Sequence, residues 1–180
     1  EVNRSFPDYV YSGSASGKVW RTTNGGSDWT EITAGLPGRS INDIGADPSD
    51  PDRAFATVGG FNTAHLWEWT AAGGWTAAGT GLPNVPANSV LVLSALDVFV
   101  GTDTGVFRSV DGGQTFQPFM AGLPEGLVVT DLKYNQLQNI LTAGTYGRGA
   151  WQVQIGPVGP IVLFDSIEHP PVEIAGDGDT

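Results

Sequence analysis

The tripeptide Gly-Leu-Pro occurs three times, at 35–37, 81–83 and 122–124, so Pro37, Pro83 and Pro124 stand 46 and 41 residues apart. An aromatic residue precedes each at the same two intervals: Trp29, Trp75 and Phe116. A second aromatic series runs Trp20, Trp67, Phe107 and Trp151. Markers that keep one period require one structural unit, and a period of roughly 40–50 residues is the length of a four-stranded sheet in a radial repeat.

The content of each repeat agrees. In the second, apolar runs at 40–47, 54–58, 64–69 and 75–78 read as strands, with a turn cluster at 48–52. The third repeats them at 90–95, 98–102, 105–109 and 116–119. Short strands with turn residues between them are the all-β signal. The 26 Gly and 12 Pro suit tight turns, and no run with a 3.6-residue apolar period demands a helix. The first repeat begins near 9–12, at the second strand of a unit. The last holds strands at 128–133, 140–143 and 149–154 and stops before a fourth. The expected fold is all-β: a partial β-propeller with two four-stranded blades flanked by two three-stranded ones.

Residues 1–155 form this propeller segment. Gly156-Pro-Val-Gly-Pro160 has no place inside a blade, and 156–180 reads as an acidic linker or the start of a following domain. Five carboxylates (Asp165, Glu168, Glu173, Asp177, Asp179) lie there with no Lys or Arg. The chain starts at Glu1 without a Met, as a processed product or a piece of something longer does. Fourteen strands do not close a regular ring, and an open arc leaves apolar faces bare. Further blades N-terminal to Glu1, or self-association, are therefore expected.

The net charge of −11 disfavours nucleic acid and anionic membranes as partners. With no Cys, disulfides and thiolate metal sites are excluded. No stretch approaches the ~20 apolar residues of a membrane-spanning helix.

One turn motif recurs. The third repeat reads Ser109-Val-Asp111-Gly-Gly113-Gln-Thr115-Phe116, which matches the Asp-box pattern Ser-x-Asp-x-Gly-x-Thr-aromatic in full. The first reads Thr22-Thr-Asn24-Gly-Gly26-Ser-Asp28-Trp29; the second, Thr70-Ala-Ala-Gly-Gly74-Trp75, has lost the carboxylate and two positions. The chain therefore resembles the bacterial neuraminidase repeat family, the Asp-box or sortilin/xyloglucanase-like propellers, over about 8–155. The 143–151 segment, with its Gly-Arg-Gly turn, looks like the final blade of secreted bacterial members. The resemblance implies an outer-rim turn in which Asp111 anchors backbone N–H groups and the aromatic packs between neighbouring sheets, and so a structural motif. The family includes sialidases, xyloglucan hydrolases, sorting receptors and photosystem assembly factors.

A sialidase needs an arginine cluster with a Tyr/Glu pair. Arg21 and Arg108 share one repeat position and read as blade features instead. A glycosidase needs two carboxylates about 5–9.5 Å apart. Asp43 and Asp131, at matching places in the first strands of their blades, are the two catalytic candidates with a positional argument, though an inner-strand Asp that bridges neighbouring strands is the simpler reading. His65 and His169 read as solvated, and Asp47, Asp50 and Asp52 as a solvated acidic turn with too few ligands for Ca²⁺. Asn3-Arg-Ser5 matches a glycosylation acceptor. No metal or cofactor is called for.

The function expected is a non-catalytic interaction or structural module of a large secreted or cell-surface bacterial protein. Its strand-connecting loops would meet a protein or glycan partner. The alternative is a fragment of a glycoside hydrolase, xyloglucanase- or sialidase-like, acting on a polysaccharide or glycan.

Overall fold

The computed structural model describes residues 1–155 and the backbone of Asp165–Ser166. These form four antiparallel sheets in chain order, with no helix among the described residues. Sheet 1 holds β1 Val10–Gly13, β2 Val19–Thr22 and β3 Thr30–Glu31. Sheet 2 holds β4 Ile41–Ala46, β5 Arg53–Val58, β6 Leu66–Thr70 and β7 Gly74–Ala78. Sheet 3 holds β8 Ala87–Val92, β9 Val98–Thr102, β10 Gly105–Ser109 and β11 Gln117–Pro118. Sheet 4 holds β12 Val129–Asn135, β13 Ile140–Thr145, β14 Ala150–Gln154 and β15 Asp165–Ser166. Each sheet is a simple meander, its strands side by side in sequence order.

The strand inventory departs from expectation at both ends. Sheet 4 is four-stranded, because Ser166 and Asp165 pair with Trp151 and Gln152. The remaining residues of 156–180 lie outside those described. In sheet 1 an inner strand is present in rudiment: Val2 bridges Val10, and Asn3 N donates to the Tyr9 carbonyl. Strand β8 begins three residues before the expected 90–95 run and ends before Ser94, which starts a turn.

The apolar residues of each strand serve two different cores, because successive side chains point to opposite faces. The leading face looks toward the preceding sheet and the trailing face toward the following one. Cross-strand pairs Tyr11↔Arg21, Phe55↔Glu68 and Phe99↔Arg108 lie on trailing faces. The pairs Ala56↔Trp67, Val100↔Phe107 and Ala143↔Trp151 lie on leading faces. Between sheets 1 and 2, Tyr11 and Val19 meet Ile41, Ala54, Trp69 and Trp75. Between sheets 2 and 3, Phe55 and Leu66 meet Val98, Phe107 and Phe116. Between sheets 3 and 4, Phe99 and Val106 meet Leu132, Leu141 and Val153. Each fully buried side chain of this size contributes roughly 1.5–3 kcal/mol.

The repeat markers now have physical reasons. Leu36, Leu82 and Leu123 of the three Gly-Leu-Pro segments each pack on the core that follows their own sheet. The glycine before each leucine has positive φ, +101° at Gly35 and +93° at Gly81. A β-carbon on Gly81 would stand 2.5 Å from the Phe116 carbonyl oxygen, so the tripeptide abuts the aromatic of the next repeat with no room for a side chain.

Candidate functional site

The first strands of sheets 2, 3 and 4 carry one β-bulge each at the same place, between Ile41 and Asp43, Ala87 and Ser89, and Val129 and Asp131. A bulge re-aims the side chains beside it. Here it turns two consecutive polar residues toward the next sheet. Asn42 Nδ2 donates to the Ala87 carbonyl at 2.8 Å, and Asn88 Nδ2 to the Val129 carbonyl at 3.0 Å. One residue on, Asp43 Oδ2 accepts hydrogen bonds from Ser89 Oγ (2.9 Å) and Val90 N (3.0 Å). Asp43 Oδ1 accepts from Ile44 N, and Ser89 Oγ in turn accepts from Leu132 N at 3.2 Å. A relay of side chains thus ties β4 to β8 and β8 to β12.

The two candidate acids therefore have different employment. Asp43 is engaged in this relay. Asp131, at the corresponding place in the last sheet, pairs with Lys133 at 3.0 Å, and its side chain is half-exposed. The structure joins each to other residues, not to one another. Ser89, the relay member between them, is missed in the sequence by its chemistry, although it lies 46 residues after Asp43 and 42 before Asp131.

A carboxylate that the sequence reading did not single out, Glu1, shares a cleft with Asp43. Glu1, Ser12, Asn42 and Asp43 line a cleft of about 250 Å³. Burial pushes the Glu1 carboxyl above its ordinary value; the N-terminal amine opposes this and the Asp43 charge adds to it.

A larger cleft, of about 650 Å³, opens at the other end of the inner strands, where the first-to-second-strand turns of the sheets converge. Arg4 and Ser5 reach it from sheet 1, Pro48 from sheet 2, Ser94 and Asp97 from sheet 3, and Tyr134, Gln136 and Asn139 from sheet 4. Its four turns share one device. Asn3 Oδ1 accepts from Ser5 N and Phe6 N, and Asp47 Oδ1 from Ser49 N and Ser49 Oγ. Ser94 Oγ accepts from Leu96 N and Asp97 N, and Asn135 Oδ1 from Leu137 N and Gln138 N. These Asx- and Ser-type turns hold the cleft rim in shape. Leu96 is exposed at one tip, and Leu137, at 97% exposure, at another.

The third-to-fourth-strand turns lie at the same end of the sheets. Ser109 Oγ donates to Asp111 Oδ1 (2.7 Å) and accepts from Gly113 N; Asp111 accepts from Thr115 N (2.9 Å) and Thr115 Oγ1 (2.6 Å). These bonds, the Thr115 hydroxyl's first among them, pull the Asp111 carboxyl down to about 2. Thr22, Asn24, Gly26 and Asp28 repeat the pattern: Asn24 Oδ1 accepts from Asp28 N, and Thr22 Oγ1 from Gly26 N. Where the motif has decayed, Thr70 Oγ1 accepts from Gly73 N, and the hairpin zips further. Its outer strand β7 has five residues, against two in β3 and β11.

Trp75 and Phe116 are buried between sheets, 6% and 1% exposed, and the Trp75 indole donates to the Ile32 carbonyl at 2.6 Å. Trp29 holds the same place in sheet 1 and is 46% exposed, because no sheet stands on that side among the described residues. The expected packing between sheets fails there.

Other expected surface residues prove structural. Asp47 is buried and pairs with Arg53 at 2.9 Å; Arg53 also binds Glu68 and donates to the carbonyls of Ala95 and Gly112 in sheet 3. Burial opposes the Arg53 charge, but the Glu68 and Asp47 partners outweigh it and raise its pKa. Asn3 is buried, and its amide donates to the Asp47 carbonyl, so the glycosylation match is not available in this fold. His65 is buried rather than solvated, with Nε2 against Asn84 Oδ1 at 3.2 Å; His169 lies outside the described residues. Arg21 stacks on Tyr11 and Trp69 and pairs with Asp52, while Arg108 stacks on Phe99 and pairs with Asp97. Both are blade-to-blade or within-blade fasteners. Among the described residues no three His, Asp or Glu gather as a metal site.

No family model and no curated protein sequence matches the chain. Solved structures do. An auxiliary nutrient binding protein from Bacteroides thetaiotaomicron is similar at a TM-score of 0.70 and 10% identity, over 91% of this chain and 39% of that one. A GH74 enzyme from Niastella koreensis is similar at 0.63 and 20%, over 85% of this chain and 28% of that one. YCF48 bound to D1 peptide is similar at 0.61 and 14%, over 87% and 50%. The chain thus spans half or less of the length of these proteins. With four meander sheets packed face to face in sequence order, the fold is a partial β-propeller.

Proposed function

We propose that this chain is a non-catalytic propeller module of the Asp-box repeat class, part of a larger secreted or cell-surface protein, that binds a protein or glycan partner through its strand-connecting loops. The observation that carries the reading is the Asp43 carboxylate. It accepts three hydrogen bonds, two of which fasten β4 to β8, so opening it to a sugar would break the sheet-to-sheet relay. The turns around the 650 Å³ cleft are held by their own side chains, which leaves Arg4 and Gln136 exposed on its rim, while Tyr134 packs on the core between sheets 3 and 4 and bonds Asn139. A rigid rim with amide, hydroxyl, cationic and apolar groups suits an extended peptide or a glycan. A nutrient binding protein and a peptide-bound protein among the similar folds support the same reading.

The test is binding by the full chain, immobilised and probed with peptide and glycan arrays, repeated with Arg4→Ala and Gln136→Ala. Binding that drops with both variants at unchanged melting temperature supports the reading. Binding untouched by either places the partner elsewhere.

The alternative, a glycoside hydrolase fragment, draws support from the Glu1–Asp43 cleft and from the GH74 likeness. Hydrolysis of xyloglucan or sialosides by the chain, abolished by Glu1→Gln or Asp43→Asn, would establish it. The proposed module turns over neither.

A further inference from the structure

We infer that Asn24, in the turn between β2 and β3, is a site of spontaneous covalent modification, at which water replaces the side-chain amide and the turn is weakened in consequence. The inference stands whatever partner the strand-connecting loops bind.

Asn24-Gly25 is the one Asn-Gly pair among the eight asparagines of the sequence. A glycine in second place leaves its backbone nitrogen unscreened by a side chain, so the nitrogen can reach the asparagine Cγ. Both residues are exposed. Asn24 Oδ1 accepts hydrogen bonds from Thr22 Oγ1 at 2.8 Å and Asp28 N at 2.9 Å, which draw electrons away from Cγ. Gly25 N donates to the Asp8 carbonyl at 3.0 Å, and this contact must open before the nitrogen can react. Asp8 is itself exposed, in a turn closed by Tyr9 N on the Phe6 carbonyl. Solvent-exposed backbone bonds of this kind open at little cost.

The reaction balances with water alone. Gly25 N gives its proton to hydroxide and bonds to Asn24 Cγ; the Cγ–Nδ2 bond breaks, and the released nitrogen takes up a proton and leaves as ammonia. Water then opens the five-membered imide at one of its two carbonyls, leaving aspartate or isoaspartate at position 24. Nothing is oxidised or reduced.

Sheet 3 carries the same turn in a form that resists this chemistry. Its equivalent pair is Asp111-Gly112, and Gly112 N likewise donates to a carbonyl, that of Leu96, at 2.9 Å. Gly112 is buried, however, and Arg53 of sheet 2 donates to its carbonyl at 2.6 Å. Asp111 presents an ionised carboxylate, whose carbon is a poor target for a nucleophile, and the Thr115 hydroxyl donates to it. Sheet 1 has Asp28 in the place of Thr115, and there it accepts from Asn24 Nδ2 at 3.0 Å. The turn of sheet 1 is thus matched to an amide at position 24. A carboxylate there loses that bond and faces the like charge of Asp28. Isoaspartate also lengthens the backbone by one carbon.

The experiment incubates the full chain in mildly alkaline buffer and follows position 24 and the seven other asparagines by peptide mapping, with isoaspartate assayed separately. The inference expects position 24 to be converted faster than the other seven. Pro7→Gly, which loosens the turn that holds Asp8, should raise its rate about two- to fivefold. Asn24→Asp should lower the melting temperature, and adding Asp28→Thr should restore it by rebuilding the pattern of sheet 3. Two results overturn the inference. One is conversion at position 24 no faster than at the other asparagines in the folded chain, in the parent and in Pro7→Gly alike, with position 24 first to convert once the chain is unfolded in urea. The turn would then lock Gly25 in place. The other is Asn24→Asp melting at or above the parent temperature, which would mean that Asp28 tolerates a second carboxylate beside it.

Discussion

The two ends of the arc are built from equivalent positions and have opposite chemistry. The leading face of sheet 1 shows Trp20 and Trp29, while the trailing face of sheet 4 shows Thr142 and Gln152 in a mutual hydrogen bond. Between them, the positions of Thr142 are the buried aromatics Tyr11, Phe55 and Phe99, and those of Gln152 are Arg21, Glu68 and Arg108, each held in an ion pair. Terminal units of repeat proteins carry polar outer faces when nothing packs on them. The described trailing face of sheet 4 has that polar character, and the leading face of sheet 1 does not. The same backbone slot is thus a core position, a solvated polar position or an exposed aromatic according to its neighbour.

The largest expected effect comes from filled slots. Phe116→Ala removes a buried aromatic between sheets 2 and 3 and should cost about 3–5 kcal/mol. Trp29→Ala, at the same repeat position but exposed, should cost the isolated chain less than about 0.5 kcal/mol. Chemical denaturation of both variants measures the contrast, and equal losses would erase the distinction between the two faces.

A second variant tries to convert the polar face of sheet 4. Thr142→Phe gives sheet 4 the aromatic that Tyr11, Phe55 and Phe99 give the others. An apolar trailing face complementary to the leading face of another copy is a head-to-tail contact, and such contacts propagate. Sedimentation should show concentration-dependent association in this variant and less of it in the Thr142→Phe, Trp29→Ser double variant.

The smallest effect concerns the Ser-x-Asp turn, which sits outside both faces. Asp111 has its folded-state pKa pushed down to about 2 from an ordinary 3.8. Its contribution to stability is therefore present above the ordinary value and is lost as pH falls through about 2. Thermal melts between pH 5 and pH 2 should decline less steeply in Asp111→Asn than in the parent protein.

The period of the Gly-Leu-Pro and aromatic markers made the sheets legible, because the leucines pack toward the following sheet and Trp75 and Phe116 toward the preceding one. Their burial was not legible. Trp29 and Trp75 look alike in sequence, and only the presence or absence of a preceding sheet separates them. The relay through Asp43, Ser89 and Leu132 was hidden for a related reason: its partners are more than 40 residues apart, and a hydroxyl replaces a carboxylate halfway along. Asp47 and Asn3 read as surface residues because local sequence cannot show that Arg53, or a neighbouring turn, closes over them. Strand β15 follows a Pro/Gly break that reads as an exit from the repeat.

The central claim is that the inner-strand acid holds sheets together and does no chemistry, and amide hydrogen exchange in Asp43→Ala tests it most directly. Losing the acceptor for Val90 N and Ser89 Oγ leaves part-buried donors unpaired, at roughly 1–3 kcal/mol. The account predicts that exchange at Val90 speeds up by about tenfold or more, with a lower melting temperature. Unchanged protection at Val90, together with loss of a hydrolytic activity present in the parent protein, would contradict it.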